Sequence, residues 1–151
     1  MPAAMASDVP FRLLPDLGGR ERRFWQAGGD GRLELLRCRS CGTYVHPPAP
    51  VCPTDYGTDL AWTPVSGRAR VATFTVNHKQ WMPGPAVPYV VAIVEIAEQP
   101  DVRLMTNVVG CAPEAVTIGM PVRVVFEHHP DADGDVWIPL FEPDPDAGAG
   151  A

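Results

Sequence analysis

The sequence has no apolar run approaching the roughly 20 residues that a membrane-spanning helix needs. Its first ten residues, MPAAMASDVP, lack the basic start and apolar centre of a secretory signal. It has no surplus of positive charge: 12 Lys and Arg against 18 Asp and Glu give a net charge of −6. That balance argues against nucleic-acid binding driven by phosphate neutralisation. It has no disulfide framework either, because Cys38, Cys41 and Cys52, three of its four cysteines, are spaced for a metal rather than for bridges. These absences make membrane and nucleic acid poor partners and point to a cytoplasmic protein. A convincing catalytic set is also missing. Cys111 reads as a small buried thiol, with no base tied to it by spacing. His128-His129 ends a strand-like run before Pro130 and is expected at the surface, and His78 ends another run at the mouth of a long loop.

What is present is a globular composition, 46% hydrophobic and 20% charged, cut into short pieces by 18 prolines and 14 glycines. Such punctuation favours strands and turns over long helices. The length suits one ordinary domain or two small ones sharing a core. Residues 1–19 are expected to be a flexible arm, and the Asp/Pro-rich, Ala/Gly-rich tail at 144–151 to be disordered.

The strongest motif is Cys38-Arg-Ser-Cys41, a ten-residue spacer, then Cys52-Pro-Thr-Asp55. Two knuckles of this kind on hairpins present four tetrahedral ligands in a zinc ribbon. Here the second knuckle ends in a carboxylate. Zinc accepts thiolate and carboxylate oxygen alike, so Cys38, Cys41, Cys52 and Asp55 form one candidate set. His46 on the connecting loop is an alternative fourth ligand, and a metal-free ribbon held by packing is the third possibility. Arg32–Arg37 alternates with Leu33 and Leu35 on one side and reads as the entry strand. Tyr44–Pro50 returns, and Asp59–Val65 leads out.

Before the ribbon, Arg20–Ala27 is compatible with a short helix stopped by Gly28-Gly29. Its Phe24-Trp25 pair either caps the core or docks a partner. After it, Arg70–His78, Tyr89–Ala97, Val102–Val109, Val122–Glu127 and Asp135–Phe141 are β-branched or aromatic runs of strand length. Ala112–Gly119, a turn or short helix, falls between the third and fourth. Five strands with that insertion predict a Greek-key barrel of the OB type. The fold class expected is therefore mainly β: residues 20–65 as helix plus ribbon, and 66–143 as an OB-fold. The loop 79–88 carries Trp81 and Met82 just ahead of Pro83, Pro85 and Pro88. It either flanks a binding face or forms a lid over the barrel's own end.

Phe24-Trp25, the stretch Gly31–Gly42, the prolines before Cys52-Pro53 and Ser66-Gly67-Arg68 form one pattern with Pro88–Glu95, Thr106–Gly110 and Ile118-Gly-Met-Pro-Val122. Over roughly residues 20–143 this pattern resembles the thirty-fifth family of domains of unknown function. That family joins a rubredoxin-like zinc ribbon to an OB-fold and is associated with acyl-CoA enzymes. Asp55 departs from it, standing where the family usually has a fourth cysteine. The resemblance implies a non-catalytic accessory subunit of thiolase-superfamily enzymes, including aldolases that shorten steroid-CoA side chains. It implies docking on a thiolase-like or aldolase subunit, in a hetero-oligomer of two plus two. Phe24, Trp25, Trp81 and Met82 are then candidates for the partner or ligand surface, and Arg20, Arg22, Arg23 and Arg37 for contacts to CoA phosphates. The alternative expectation is a stand-alone acyl-CoA-binding module.

Overall fold

The computed structural model describes residues 9–147. The first sheet has three strands in the order β2-β1-β3: β1 Leu33–Cys38, β2 Tyr44–Val45 and β3 Leu60–Val65, all antiparallel. β1 is the central strand and is buried at every position but Arg37, which explains its apolar run. Leu36 faces both Val45 and Trp62 in register.

Gly67 turns the chain out of this sheet with φ +79°, in the left-handed region open to glycine. A Cβ there would also lie 2.5 Å from Val124 Cγ1. The barrel follows: β4 Arg68–Asn77, β5 Tyr89–Ile96, β6 Arg103–Val108, β7 Pro121–His129 and β8 Val136–Pro143, closed in the order β4-β5-β6-β8-β7. All neighbours are antiparallel except β6 and β8, which meet in parallel at Val108 and Phe141. This is the expected OB-type barrel, built as a strand period dictates. In β5, Val90, Ala92, Val94 and Ile96 point inward and are at most 2% exposed, while the residues between them are half-buried. Four of the ten strand ends lie one or two residues beyond the expected runs and five fall one residue short of them, because ladder hydrogen bonds are made by backbone and do not start or stop with the β-branched residues. Pro113–Ala115 forms one 3-10 turn in the segment before β7 and precedes the buried Val116, which joins the core.

Ribbon and barrel share that core: Leu33, Leu35 and Tyr44 belong to the same buried cluster as Val71, Val94 and Phe141. Gln99 adds a polar tie, its side chain bonding both the N–H and the C=O of Tyr44 at 2.9 and 3.2 Å. The helix α1 is only Arg22–Gln26, shorter than the expected Arg20–Ala27, and Ala27–Asp30 tightens into a 3-10 turn. Gly28 lets this turn lie against the barrel. A Cβ there would come within 2.5 Å of Phe126 and 2.6 Å of Trp137.

Of the arm expected over 1–19, residues 1–8 lie outside the described residues. The rest is held: Leu17 is 2% exposed, and Arg12 reaches Glu127 and Asn107. Burial of Leu17 and charge pairing at Arg12 fix a segment whose own sequence shows no regular period. At the other end Asp144 donates its N–H to Pro121 O at 3.1 Å, and residues 148–151 lie outside the described residues.

Candidate metal centre and docking face

The two knuckles are copies of one backbone turn. In the first, Gly42 N–H bonds Cys38 O at 2.9 Å and Cys38 N–H bonds Thr43 O at 2.8 Å. In the second, Tyr56 N–H bonds Cys52 O at 3.0 Å and Cys52 N–H bonds Gly57 O at 2.9 Å. The fifth residue of each turn is left-handed: Gly42 at φ +77° and Tyr56 at φ +60°. Cys41 and Asp55 occupy the same step of the two turns, so the carboxylate sits at the place of a fourth thiolate.

The four ligand atoms all lie within 4.8 Å of one another. Cys41 Sγ is 3.6 Å from Cys52 Sγ, and Cys38 Sγ is 3.5 Å from Asp55 Oδ2. A tetrahedral zinc with bonds of about 2.3 Å to sulfur and 2.0 Å to oxygen requires edges of about 3.5–3.8 Å, so these two edges match the ion and the set is compatible with it. Local hydrogen bonds favour the ligand charge state at Asp55 and Cys41. At Cys38 the backbone N–H groups of Cys41 and Ser40 favour the thiolate, but burial and the neighbouring thiols together outweigh them and push the thiol up. Gly57 N–H donates to Asp55 Oδ1 at 2.8 Å and holds that carboxyl below its usual range. The bond with the Thr43 side chain is the largest of several that lower the Cys41 thiol. Cys38 and Cys52 are buried while Cys41 and Asp55 are exposed, so one edge of the site faces solvent. Bound zinc would supply a tetrahedral clip between the knuckles. His46, the alternative ligand, is not part of the cluster. Its ring packs on Phe24 with centroids 5.2 Å apart, and burial pushes its pKa down.

The expected surface residues separate. Phe24 is 8% exposed and meets Trp25 edge-on at 4.9 Å, so it belongs to the core and not to the surface. Trp25 is half-buried and lines two adjoining hollows. The first, about 230 Å³, has Val91, Met105, Asn107 and Ile138 in its walls. The second, about 290 Å³, lies between residues 11–15 and the loop 80–85. Trp81 and Met82 line it and stand in the open, 73% and 48% exposed. Facing them across the second hollow are Phe11 and Leu13, 55% and 74% exposed, in the segment expected to be a flexible arm.

Three of the four arginines expected at CoA phosphates have partners inside the chain. Arg23 forms a two-pronged pair with the buried Glu34 at 2.7 and 2.8 Å, which holds the Glu34 carboxyl below its usual range. Arg22 bonds Gln26 and two backbone carbonyls. Arg37 bonds Gly42 O and lies over the Tyr44 ring at 4.9 Å. Arg20 alone has no bonded partner among the described residues.

A second polar cluster was not visible in the sequence. Arg12 bonds both Glu127 carboxylate oxygens and donates to Asn107 Oδ1 at 3.0 Å, while His129 Nε2 meets Glu127 Oε1 at 2.7 Å. His129 is therefore buried at 8%, not at the surface. His128, half-buried, stacks on Trp137 at 4.2 Å. Burial pushes the Glu127 carboxyl up, but the bonds from Arg12 and His129 together outweigh it and leave the carboxyl lowered. Only period-2 spacing of Glu127 and His129 hinted that both share a strand face. In OB-folds the second and third strands and the loop after the first commonly form the ligand face. Here Arg12 and Trp25 sit over that face, at Val91, Asn107 and Met105. Bases have no open sheet of stacking aromatics to meet.

The fold and site thus define a zinc-ribbon–OB-fold protein with a three-sulfur, one-oxygen ligand set. Residues 25–61 match the family model for the ChsH2 rubredoxin-like zinc ribbon domain, and residues 62–127 the one for the ChsH2 C-terminal OB-fold domain. The chain is 35% identical over 144 residues to the 3-oxo-4,17-pregnadiene-20-carboxyl-CoA hydratase alpha subunit of Mycobacterium tuberculosis, covering 91% of this chain and 45% of that protein. It is 36% identical over 108 residues to a DUF35 domain-containing scaffold protein of Methanocaldococcus jannaschii, covering 66% and 70%. A solved chain described as Ltp2-ChsH2(DUF35) aldolase superposes with a TM-score of 0.74 at 35% identity, over 86% of this chain and 98% of that one. The chain belongs to the ChsH2/DUF35 family. It spans less than half the length of the curated hydratase subunits it matches, 38% and 45%.

Proposed function

We propose that this chain is a non-catalytic subunit that docks on a thiolase-superfamily enzyme acting on acyl-CoA thioesters, such as a retro-aldolase of steroid-CoA side-chain degradation. In that role it supports the partner's stability, activity or substrate channel. The observation that carries this reading is the likeness, over nearly all of the solved chain, to the DUF35 component of an aldolase. The internal chemistry agrees with it: Arg23–Glu34 and Arg12–Glu127–His129 tie elements together, and the cysteines form a clip. The assembly expected is two plus two.

Co-expression with a thiolase-like protein of the same organism tests the reading. A stable complex whose acyl-CoA cleavage exceeds that of the partner alone supports it, and a partner fully active without this chain refutes it. A second reading, a stand-alone acyl-CoA-binding module, draws on the apolar hollow of about 290 Å³ beside Trp81. Titration calorimetry of the isolated chain with a long-chain acyl-CoA separates the two, since saturable heat without the partner favours the second.

A further inference from the structure

Eight large hydrophobic side chains are exposed among the described residues, and five of them, Phe11, Leu13, Trp81, Met82 and Met105, line the two adjoining hollows that share Arg12, Trp25 and Ile138. Together they expose on the order of 600 Å² of apolar surface, at the upper end of what a monomer carries in one patch and close to the core of a standard interface. Two prolines stiffen the loop on one side, and the anchor of Arg12 on Glu127 and Asn107 holds the segment on the other. The backbone on both sides is thus set before any partner arrives, which reduces the ordering cost of association.

The charges at this face are one-sided. Lys79, the chain's single lysine, lies 4.3 Å over the Trp81 ring, while Arg12 is already neutralised by Glu127. No carboxylate lines the second hollow. A second copy of this chain would bring the same acid-free face and another Lys79, with nothing to pair them. A membrane surface fits poorly, because anionic lipid attracts clusters of basic residues and this protein carries a net charge of −6.

We propose that the face formed by residues 11–13, the loop 79–85 and Met105 is the surface by which this chain seats on its thiolase-like partner. The partner supplies an apolar protrusion that enters between Leu13 and Trp81, flanked by a carboxylate that meets Lys79. The assignment rests on the docking role proposed above and adds where the docking occurs. It also moves the site away from Phe24, which is buried, and onto a segment whose sequence carries no recognisable element.

The test uses the full chain co-purified with the thiolase-like protein. A Trp81→Asp/Met82→Asp double variant is compared with wild type and with Ile118→Asp, a change at a 70% exposed residue outside both hollows. Unchanged melting temperature and zinc content establish that each variant is folded. The expected result is at least a hundredfold loss of affinity in the double variant, none in Ile118→Asp, and protection of Lys79 from acetylation only in the wild-type complex. A wild-type complex that the double variant forms equally well overturns the face and leaves the docking role standing. Absence of any wild-type complex overturns both. A wild-type homodimer that the double variant abolishes, or binding to phosphatidylserine vesicles through Trp81, overturns the assigned partner.

Discussion

The ribbon and the barrel reach order by opposite routes. In the barrel the burden is spread: Val71, Val94, Val122 and Phe141 are each at most 1% exposed, and every one touches a continuous core. In the ribbon β2 has two residues, and none of the four ligand residues belongs to the shared core cluster, with Cys41 and Asp55 exposed. What converges there is four ligand atoms within 4.8 Å. A distributed core tolerates one loss at a cost set by volume, whereas a clip fails when its ion leaves. The shared residues Leu33, Leu35 and Tyr44 set how far failure in one unit reaches the other.

Chelation is the sharpest way to break the comparison. Removing zinc should raise amide exchange over residues 38–57 by at least a hundredfold while β5 and β6 keep their protection, followed by mass spectrometry. Equal deprotection of both units would show that they unfold as one. Asp55→Ala should lower zinc retention in competition with a chromogenic chelator by tenfold or more, and Asp55→Cys should raise it. In the barrel, Phe141→Ala should cost about 3–5 kcal/mol by urea denaturation, because it empties a fully buried site. Zinc content should stay near one equivalent.

Acidification probes the segment at 9–17. The Glu127 carboxyl is lowered in the folded chain, so its contribution is complete above the unfolded value near 4.5 and is lost as pH falls below it through the folded value. Protection of residues 11–17 should therefore begin to fall once the pH drops below about 4.5. Glu127→Gln should abolish most of that dependence while costing about 1–2 kcal/mol at pH 7. The smallest effect expected is at Tyr56, left-handed and 78% exposed. Tyr56→Gly relieves that conformation and should raise stability by no more than about 1 kcal/mol, read from the melting temperature.

The parts legible in advance share a local signature. The knuckles are fixed by spacing, and the barrel strands by β-branched runs whose ends the closed sheet then shifts by a residue or two in either direction. Trp81 and Met82 were legible as a candidate surface because they are large and apolar in a loop that the prolines after them stiffen. Phe24 was not resolvable from Trp25, since neighbours on so short a helix differ only in which way the helix faces. Arg12 lies 115 residues from Glu127, and no pattern in either segment announces the other. The arginines at 22, 23 and 37 looked like a free cationic patch because their partners, Glu34 among them, are specified by packing and not by neighbourhood.

By itself the sequence determined the ribbon, the barrel, their order and the four candidate ligands, because each depends on residue type at short spacing. Tertiary structure alone decided that Asp55, and not His46, joins the three cysteines in one cluster. It likewise decided that ribbon and barrel share one core, and that residues 11–13 meet the loop at 79–85. Those outcomes depend on which surfaces close against one another. That choice minimises exposed apolar area and unpaired charge over the whole chain, and no short window contains it.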